Sequence, residues 1–332
     1  MSNKIRWGIL GCGKIANKFA SDLKLVKDAE LSAIASRDVA KAESFSQLYR
    51  PKFVYTTYEA LAESSEVDVI YVATPHGFHY EHVMLCLQSR KAVLCEKAFA
   101  LNLAQARAMI DFARKQKVFL MEAFWTKFLP QYNKVMEIIQ SGQIGDVRMI
   151  QSDFGFNAPS PKAQRLFDPS LGGGSLLDIG IYPIFLAQSI LGKPTQVHAF
   201  ITPYESGVDE QCAMTLKFAG GALAVLSSTF AVDTPVEAMI AGTLGRIILR
   251  VRFHNALATI ELVKGNEKPE VIEVYREQGV GYQFEARHVN ECLKKGLTES
   301  PVMTHADTLM LMETMDRVRK ICGIKYPVDG EG

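Results

Sequence analysis

Along the first third of the chain the hydrophobic pattern switches repeatedly between short apolar runs and helical spacing. Ile5–Leu10 is a run fit for a strand, and Lys14 to Lys27 then carries a 3.6-residue period. The alternation continues with a strand at Leu31–Ala35, a helix at Val39–Tyr49, a short strand at Phe53–Val54 and a helix at Tyr58–Glu63. Val67–Ala73 is apolar and rich in β-branched residues, as in a strand buried on both faces. A helix at Phe78–Gln88, a strand at Ala92–Cys95, a helix at Asn102–Lys115 and a strand at Val118–Glu122 follow. Repeated β–α units of this kind predict a doubly wound parallel sheet.

After Ala123 the pattern changes. A helix over Gln131–Ser141 leads into an alternating strand, Val147–Phe154. Further strands are expected at Val197–Ile201, Cys212–Phe218, Ala222–Phe230, Glu237–Ala241, Ile247–Arg252, Ala258–Leu262 and Val271–Tyr275. Their short connections, such as Gly220-Gly221, point to hairpins. Helices at Tyr282–Leu293 and Ala306–Ile321 close the chain, with Thr304 and Asp307 as a capping box and Gly323 as a stop. The fold class is therefore α/β. A domain over 1–123 is followed by an α+β domain over 124–332, built on a mainly antiparallel open sheet. A cleft between the two is the expected place for a site.

The turn after the first strand carries chemistry. Gly11-Cys12-Gly13-Lys14-Ile15-Ala16 is a G-x-G-x-x-A loop between a strand and a helix, the setting of a dinucleotide-binding Rossmann domain. Gly11 allows the tight turn, Gly13 lets the backbone approach a pyrophosphate, and Ala16 permits close helix–strand packing. About 20 residues on, the NAD-type pattern places an acid for the ribose 2′-hydroxyl. Here the second strand ends in Ser36-Arg37. A hydroxyl and a cation suit a 2′-phosphate, so NADP is the expected cofactor, with NAD as the alternative. As a plain surface charge Arg37 would need no such neighbour.

Composition narrows the class. The 332 residues are 48% hydrophobic and carry a net charge of +1, which gives no argument for nucleic acid or an anionic membrane. No stretch is expected to span a membrane, and no signal-peptide pattern opens the chain. Six scattered cysteines without a C-x-x-C pair fit reduced thiols and a cytoplasmic location.

In open parallel sheets, ligands bind beyond the carboxyl ends of the strands. Three loops arrive there: Ala73-Thr74-Pro75-His76-Gly77-Phe78-His79, Glu96-Lys97-Ala98 and Ala123-Phe124-Trp125-Thr126. The second domain offers Gly172-Gly173-Gly174-Ser175 running into Asp178-Ile-Gly-Ile-Tyr182. Ser175 as a helix cap would put Asp178 and Tyr182 on one helix face. His76, His79 and His82 form an H-x-x-H-x-x-H run, but they drift around a helix axis and nothing completes a ligand set, so no metal is expected.

These motifs, together with Ala35-Ser36-Arg37, Met121-Glu122-Ala123-Phe124-Trp125-Thr126 and Arg165-Leu166-Phe167-Asp168-Pro169, resemble the glucose–fructose oxidoreductase / inositol dehydrogenase (Gfo/Idh/MocA) family over essentially the whole chain. The branch they are most similar to contains dimeric dihydrodiol dehydrogenases and NADP-dependent D-xylose dehydrogenases. The resemblance implies Lys97, Asp178 and Tyr182 as catalytic residues. It also implies cofactor contacts from Thr74, Pro75, His76, His79, Glu96 and Lys97, with a structural role as the alternative for His79 and structural hydrogen bonds as the alternative for Glu96. Trp125, Phe154 and Arg165 are candidate substrate contacts, each weighed against a packing role. Many family members have proline where Ala98 stands, and many have histidine where Tyr182 stands.

The chemistry is coherent on its own terms. Oxidising an alcohol sends a hydride from carbon to the nicotinamide and a proton from oxygen to the protein. Free tyrosine has a pKa near ~10, and a neighbouring ammonium lowers it. Tyr182 is then the acid/base, Lys97 its electrostatic partner, and Asp178 orients Lys97 or a substrate hydroxyl. The roles of Lys97 and Tyr182 are interchangeable at this stage. The expected function is NADP-dependent hydride transfer at a CH–OH group of a sugar, polyol or trans-dihydrodiol. An NADPH-dependent carbonyl reductase and a non-catalytic NAD(P)-sensing protein are the alternatives. Apolar residues at both parities of Ala222–Phe230 point to a homodimer through the C-terminal sheet.

Overall fold

In the computed structural model, which describes residues 4–159 and 164–330, the first strand leads straight into the glycine loop. β1 (Ile5–Leu10), α1 (Lys14–Leu23), β2 (Ala29–Ala35), α2 (Val39–Tyr49), β3 (Phe53–Tyr55), α3 (Tyr58–Glu63), β4 (Val69–Val72), α4 (His79–Gln88), β5 (Ala92–Glu96), α5 (Leu103–Gln116) and β6 (Leu120–Ala123) alternate as the pattern predicts. The six strands pair in parallel in the order β3-β2-β1-β4-β5-β6, the doubly wound order. Every residue of β4, β5 and β6 is buried, which is why these segments lack polar alternation.

Register positions the loops. Leu10 pairs with both Ala35 and Val72, Val72 with Cys95, and Cys95 with Glu122. Gly11, Ser36, Ala73, Glu96 and Ala123, each one residue further on, therefore stand in a row at the carboxyl edge of the sheet.

The chain continues through α6 (Pro130–Gln140) and β7 (Val147–Gly155), then α7 (Gln164–Phe167) and α8 (Ile181–Leu191). β8 (Gln196–Pro203), β9 (Asp209–Lys217), β10 (Leu223–Thr229), β11 (Ala238–Gly242), β12 (Gly245–Arg250), β13 (Thr259–Lys264) and β14 (Glu270–Ile272) follow. With β7 they form a sheet in the order β14-β13-β12-β11-β7-β10-β9-β8. All pairs are antiparallel except β7 with β10. β10 turns Ala224, Leu226 and Ser228 inward under α8, while Val225 on the other face is 43% exposed.

Two sequence expectations need correction. A single cut after residue 123 does not describe how the chain divides. One compact unit runs to Phe128 and takes back Glu277–Leu309, and the other holds Leu129–Arg276 and Met310–Gly332. The reason lies in α9 (Tyr282–Lys294), which packs on α1. The buried Asp22 carboxylate of α1 accepts from the backbone N–H groups of Val280, Gly281 and Tyr282 at 2.9–3.1 Å, capping α9 from another element. Trp7 Nε1 donates to Asn290 Oδ1 at 3.0 Å. α10 (His305–Cys322) starts in the same unit with the expected box, Asp307 N–H to Thr304 Oγ1 at 3.1 Å and Thr304 N–H to Asp307 Oδ2 at 3.0 Å. Second, one segment, Pro169–Leu191, is long and apolar enough to cross a membrane by length and composition. Its most apolar window is 83% buried inside the fold, as the core of the second unit.

Candidate active site

The nucleotide edge is built by the glycine loop. Gly11 has φ +96°, and a Cβ there would lie 3.0 Å from Thr74 Cγ2 and 3.2 Å from Ala73 O. Glycine is therefore required where β1 and β4 part. At Gly13, by contrast, a Cβ would meet only Ala73 O at 4.0 Å. Gly13 is the N-cap of α1, no side chain caps that end, and no acid stands in the first turn. The first-turn amides of Lys14, Ile15 and Ala16 thus face an open cradle at a helix N-terminus, which fits a dinucleotide pyrophosphate.

At the end of β2 the two candidate phosphate ligands part company. Ser36 Oγ donates to Asp38 O at 3.0 Å and accepts from Asp38 N–H at 3.2 Å. Its proton is engaged, so Ser36 shapes the turn. Asp38, the nearest acid, caps α2 by accepting from Lys41 N–H at 3.1 Å and pairs with Lys41 Nζ at 3.1 Å. Arg37 points elsewhere. Its guanidinium carbon lies 5.2 Å from the Tyr58 ring centroid and 5.6 Å from that of Phe78, a geometry that orients the planar fork. Tyr58 and Phe78 were not legible as its partners, since they belong to α3 and the loop before α4. A crevice of about 490 Å³ bordered by Arg37, Thr57, Tyr58 and His82 opens beside it.

The Lys97 loop is pinned from beneath. The Lys97–Ala98 peptide bond is cis. His79 is fully buried, with Nδ1 2.8 Å from Ala98 O and Nε2 2.8 Å from Thr74 O. Burial pulls it down to about 4, against the two carbonyls, which favour the charged ring. The ring lies between the Thr74-Pro75 loop and the Lys97-Ala98 loop, and in its neutral form its one N–H donates to one of the two carbonyls. His82, on α4, is buried as well. It is 3% exposed, 2.9 Å from Thr74 Oγ1 through Nδ1, and packed edge-on against Tyr58. His76 is also buried, its ring 5.6 Å from that of His79. Glu96 is buried and accepts a short hydrogen bond from Tyr71 OH. Trp125 stacks on Tyr282 at 4.7 Å and 9°, which engages one of its faces in packing.

In the second unit the triple glycine feeds a turn wider than an α-helix. Leu176–Gly180 is a π-helix that passes directly into α8. Ser175 makes no cap hydrogen bond there, contrary to expectation. Asp178 lies within this π-turn and Tyr182 in the first turn of α8. Asp178 pairs with Arg165 Nη2 at 2.9 Å, so Arg165 fixes a carboxylate. Tyr182 lies among rings, 5.7 Å from Phe154 and 4.7 Å from His254, while Phe154 and His254 stack at 4.4 Å. His254 is buried and was missed, because a lone histidine in a loop carries no sequence signal. Its approach is strained: Val236, Val251 and Arg252 all take left-handed φ values of 58–64°, and Phe253 N–H bonds Val236 O at 3.0 Å.

A doubly wound sheet with this glycine cradle, continued by a mixed-sheet unit carrying tyrosine and carboxylate, defines a dinucleotide-binding oxidoreductase. Residues 5–124 match the sequence profile of the oxidoreductase family with an NAD-binding Rossmann fold, and residues 132–248 match the GFO/IDH/MocA C-terminal domain. The chain belongs to the Gfo/Idh/MocA family and is an NAD(P)-dependent dehydrogenase. It is 39% identical to a trans-1,2-dihydrobenzene-1,2-diol dehydrogenase of Xenopus laevis over 331 residues, 97% of this chain and 99% of the relative. Identity to the Homo sapiens protein of the same name is 35% over 335 residues, 98% and 99% of the two chains. Among solved structures, an aldose-aldose oxidoreductase of Caulobacter crescentus superposes with a TM-score of 0.88 at 25% identity, covering 96% of this chain and 98% of that one. A 3-ketoreductase of Actinomadura kijaniata in complex with NADP superposes at 0.85 with 27% identity, covering 96% and 98%.

Proposed function

We propose that the protein is an NADP-dependent dehydrogenase that moves a hydride between the nicotinamide and a CH–OH group of a sugar, polyol or trans-dihydrodiol. The observation that carries the NADP reading is Arg37, oriented by Tyr58 and Phe78 at the end of β2 while the adjacent Asp38 is engaged as a helix cap. An NAD-preferring edge needs an acid free to accept from the ribose 2′-hydroxyl. The nicotinamide, when bound, supplies the hydride acceptor or donor. Tyr182 takes or returns the hydroxyl proton, Lys97 stabilises the tyrosinate, and Asp178, fixed by Arg165, orients Lys97 or a substrate hydroxyl. Phe154 and His254 beside Tyr182 give an apolar wall suited to a ring substrate. The relatives' names favour a trans-dihydrodiol, and the aldose-aldose oxidoreductase neighbour favours a sugar. Structures of lysine and tyrosine variants of the 3-ketoreductase support attention to a Lys/Tyr pair.

The reading includes a cytoplasmic homodimer. The six free cysteines support the first part. The second rests on the open sheet face, where Val225, Met239 and Ile248 border one groove. The test is reduction of NADP⁺ and NAD⁺ at 340 nm with D-xylose, D-glucose, myo-inositol and a trans-dihydrodiol. Turnover with NADP⁺ and one of these is expected. Turnover with NAD⁺ alone would overturn the cofactor assignment, and light scattering at micromolar concentration decides the dimer.

A further inference from the structure

Below the segment that carries Asp178 and Tyr182 sits a carboxylate from a distant strand. Asp209, the first residue of β9, is fully buried. Its Oδ2 accepts from Ser175 Oγ at 2.7 Å and from Leu176 N–H at 2.6 Å. Ser175 Oγ also lies 2.9 Å from Ser228 Oγ of β10. The first amides of a helical turn have no partner within it, and here one is satisfied from 33 residues away.

The backbone is shaped around this carboxylate. Gly174 has φ +108°, and a Cβ there would stand 2.4 Å from Asp209 Oδ1. A Cβ on Gly180, at the far end of the π-turn, would stand 2.9 Å from Ser228 Oγ. Both ends of the turn are thus pressed against the Asp209–Ser175–Ser228 cluster. Asp209 Oδ1 has no hydrogen-bond partner among the described residues. A buried carboxylate with one oxygen unsatisfied is an unfavourable way to fill space, so packing alone does not account for an acid here.

We propose that Asp209 is a positioning residue: through Ser175 and the Leu176 amide it holds the π-turn that sets Asp178 and Tyr182. The proposal rests on the reading of Tyr182 as the proton-moving group. Reacting groups displaced by about 1 Å lose on the order of 100-fold in rate. Nothing in the first unit is involved, so cofactor affinity is untouched. The groups that act electrostatically on Asp209 or are acted on by it are Cys212 on its own strand, Cys322 on α10 and Tyr326. Tyr326 OH donates to Gly173 O at 2.7 Å, and Arg319 of α10, beside the Tyr326 ring, pairs with Asp316 and Asp329. Burial pushes the Asp209 carboxyl up to about 6, against the Ser175 and Leu176 donors, which favour the charged form. The carboxylate form that grips the turn is therefore present at pH 7 and is lost as pH falls through about 6.

The test is Asp209→Asn, which keeps the shape and one acceptor oxygen but removes the charge. Wild-type kcat is expected to show an acid limb near pH 6, and the variant is expected to have a kcat about 100-fold lower, unchanged NADPH affinity and no such limb. Deuterium exchange across 174–182 should quicken. A folded Asp209→Asn with wild-type kcat and exchange overturns the proposal, as does a reduced kcat that keeps the same acid limb. If that variant does not fold, Ser175→Ala carries the same test, with a loss of about tenfold expected from one missing hydrogen bond. Tyr182→Phe runs alongside. Full activity there would refute the acid/base reading, while the exchange result still decides whether Asp209 grips the turn.

Discussion

Replacing Arg37 with alanine should separate the two nicotinamide cofactors. The guanidinium is exposed, and its plane is set by two rings at 5.2 and 5.6 Å. A hydrogen bond to a charged acceptor contributes about 1.5–3 kcal/mol, so removing the fork should weaken NADPH binding by about 2 kcal/mol, or roughly 30-fold. NADH has no 2′-phosphate to lose a partner, and its affinity should hold. Arg37→Lys keeps the charge but not the planar fork, so it should fall between the two. The assay is a fluorescence titration of both reduced cofactors, which needs no substrate. Raising the salt should shrink the wild-type preference, because an exposed charge pair is screened. Equal weakening of NADPH and NADH, or none, would refute the reasoning.

Lys97→Met should abolish turnover at saturating substrate while leaving NADPH binding intact; near wild-type kcat would remove Lys97 from the chemistry. Asp22→Ala strips three backbone donors of their shared acceptor at the start of α9 and should destabilise the first unit by about 3 kcal/mol in urea unfolding. Glu285 is fully buried, neither carboxyl oxygen has a partner among the described residues, and burial with Glu96 and Asp22 nearby raises its pKa well above the ordinary value. The folded state then holds a proton that the unfolded chain releases near pH 4.5, so stability present below that value is lost as pH rises. The slope is about 1.4 kcal/mol per pH unit for one such proton. Glu285→Gln should flatten the fall in thermal stability between pH 5 and 8; Glu122, pushed up to about 7 by burial, keeps part of it.

Much of this architecture is legible in local pattern. In the first unit β4, β5 and β6 are buried on both faces, so their hydrophobic runs are unambiguous, and α2 and α3 span the segments their spacing implies. The glycine loop is legible because its demands are backbone demands, a positive φ at Gly11 and open space at Gly13. What escaped depends on partners far away in sequence. Ser175 looks like a cap until Asp209 is beside it, and nothing in the local pattern marks Leu176–Gly180 as a π-turn. His82 looks like a surface residue until Tyr58 and Thr74 close over it. The return of α9 to the first unit hangs on Asp22, whose local context is only that of a lone acid near the end of α1.

That return has a consequence for how the protein is made. The nucleotide-binding half is interrupted in the chain: after Phe128 its remaining piece does not begin until Glu277 and ends at Leu309. A ribosome adding about 5–20 residues per second needs roughly 7–30 s to cover that gap. During that interval the face of α1 that will receive α9 is uncovered, the indole of Trp7 lacks Asn290, and the three amides destined for Asp22 have yet to be synthesised. Nascent chains of this protein therefore depend on late segments to finish an early fold, and a chimera that exchanges the nucleotide-binding half with a relative must transplant both pieces together.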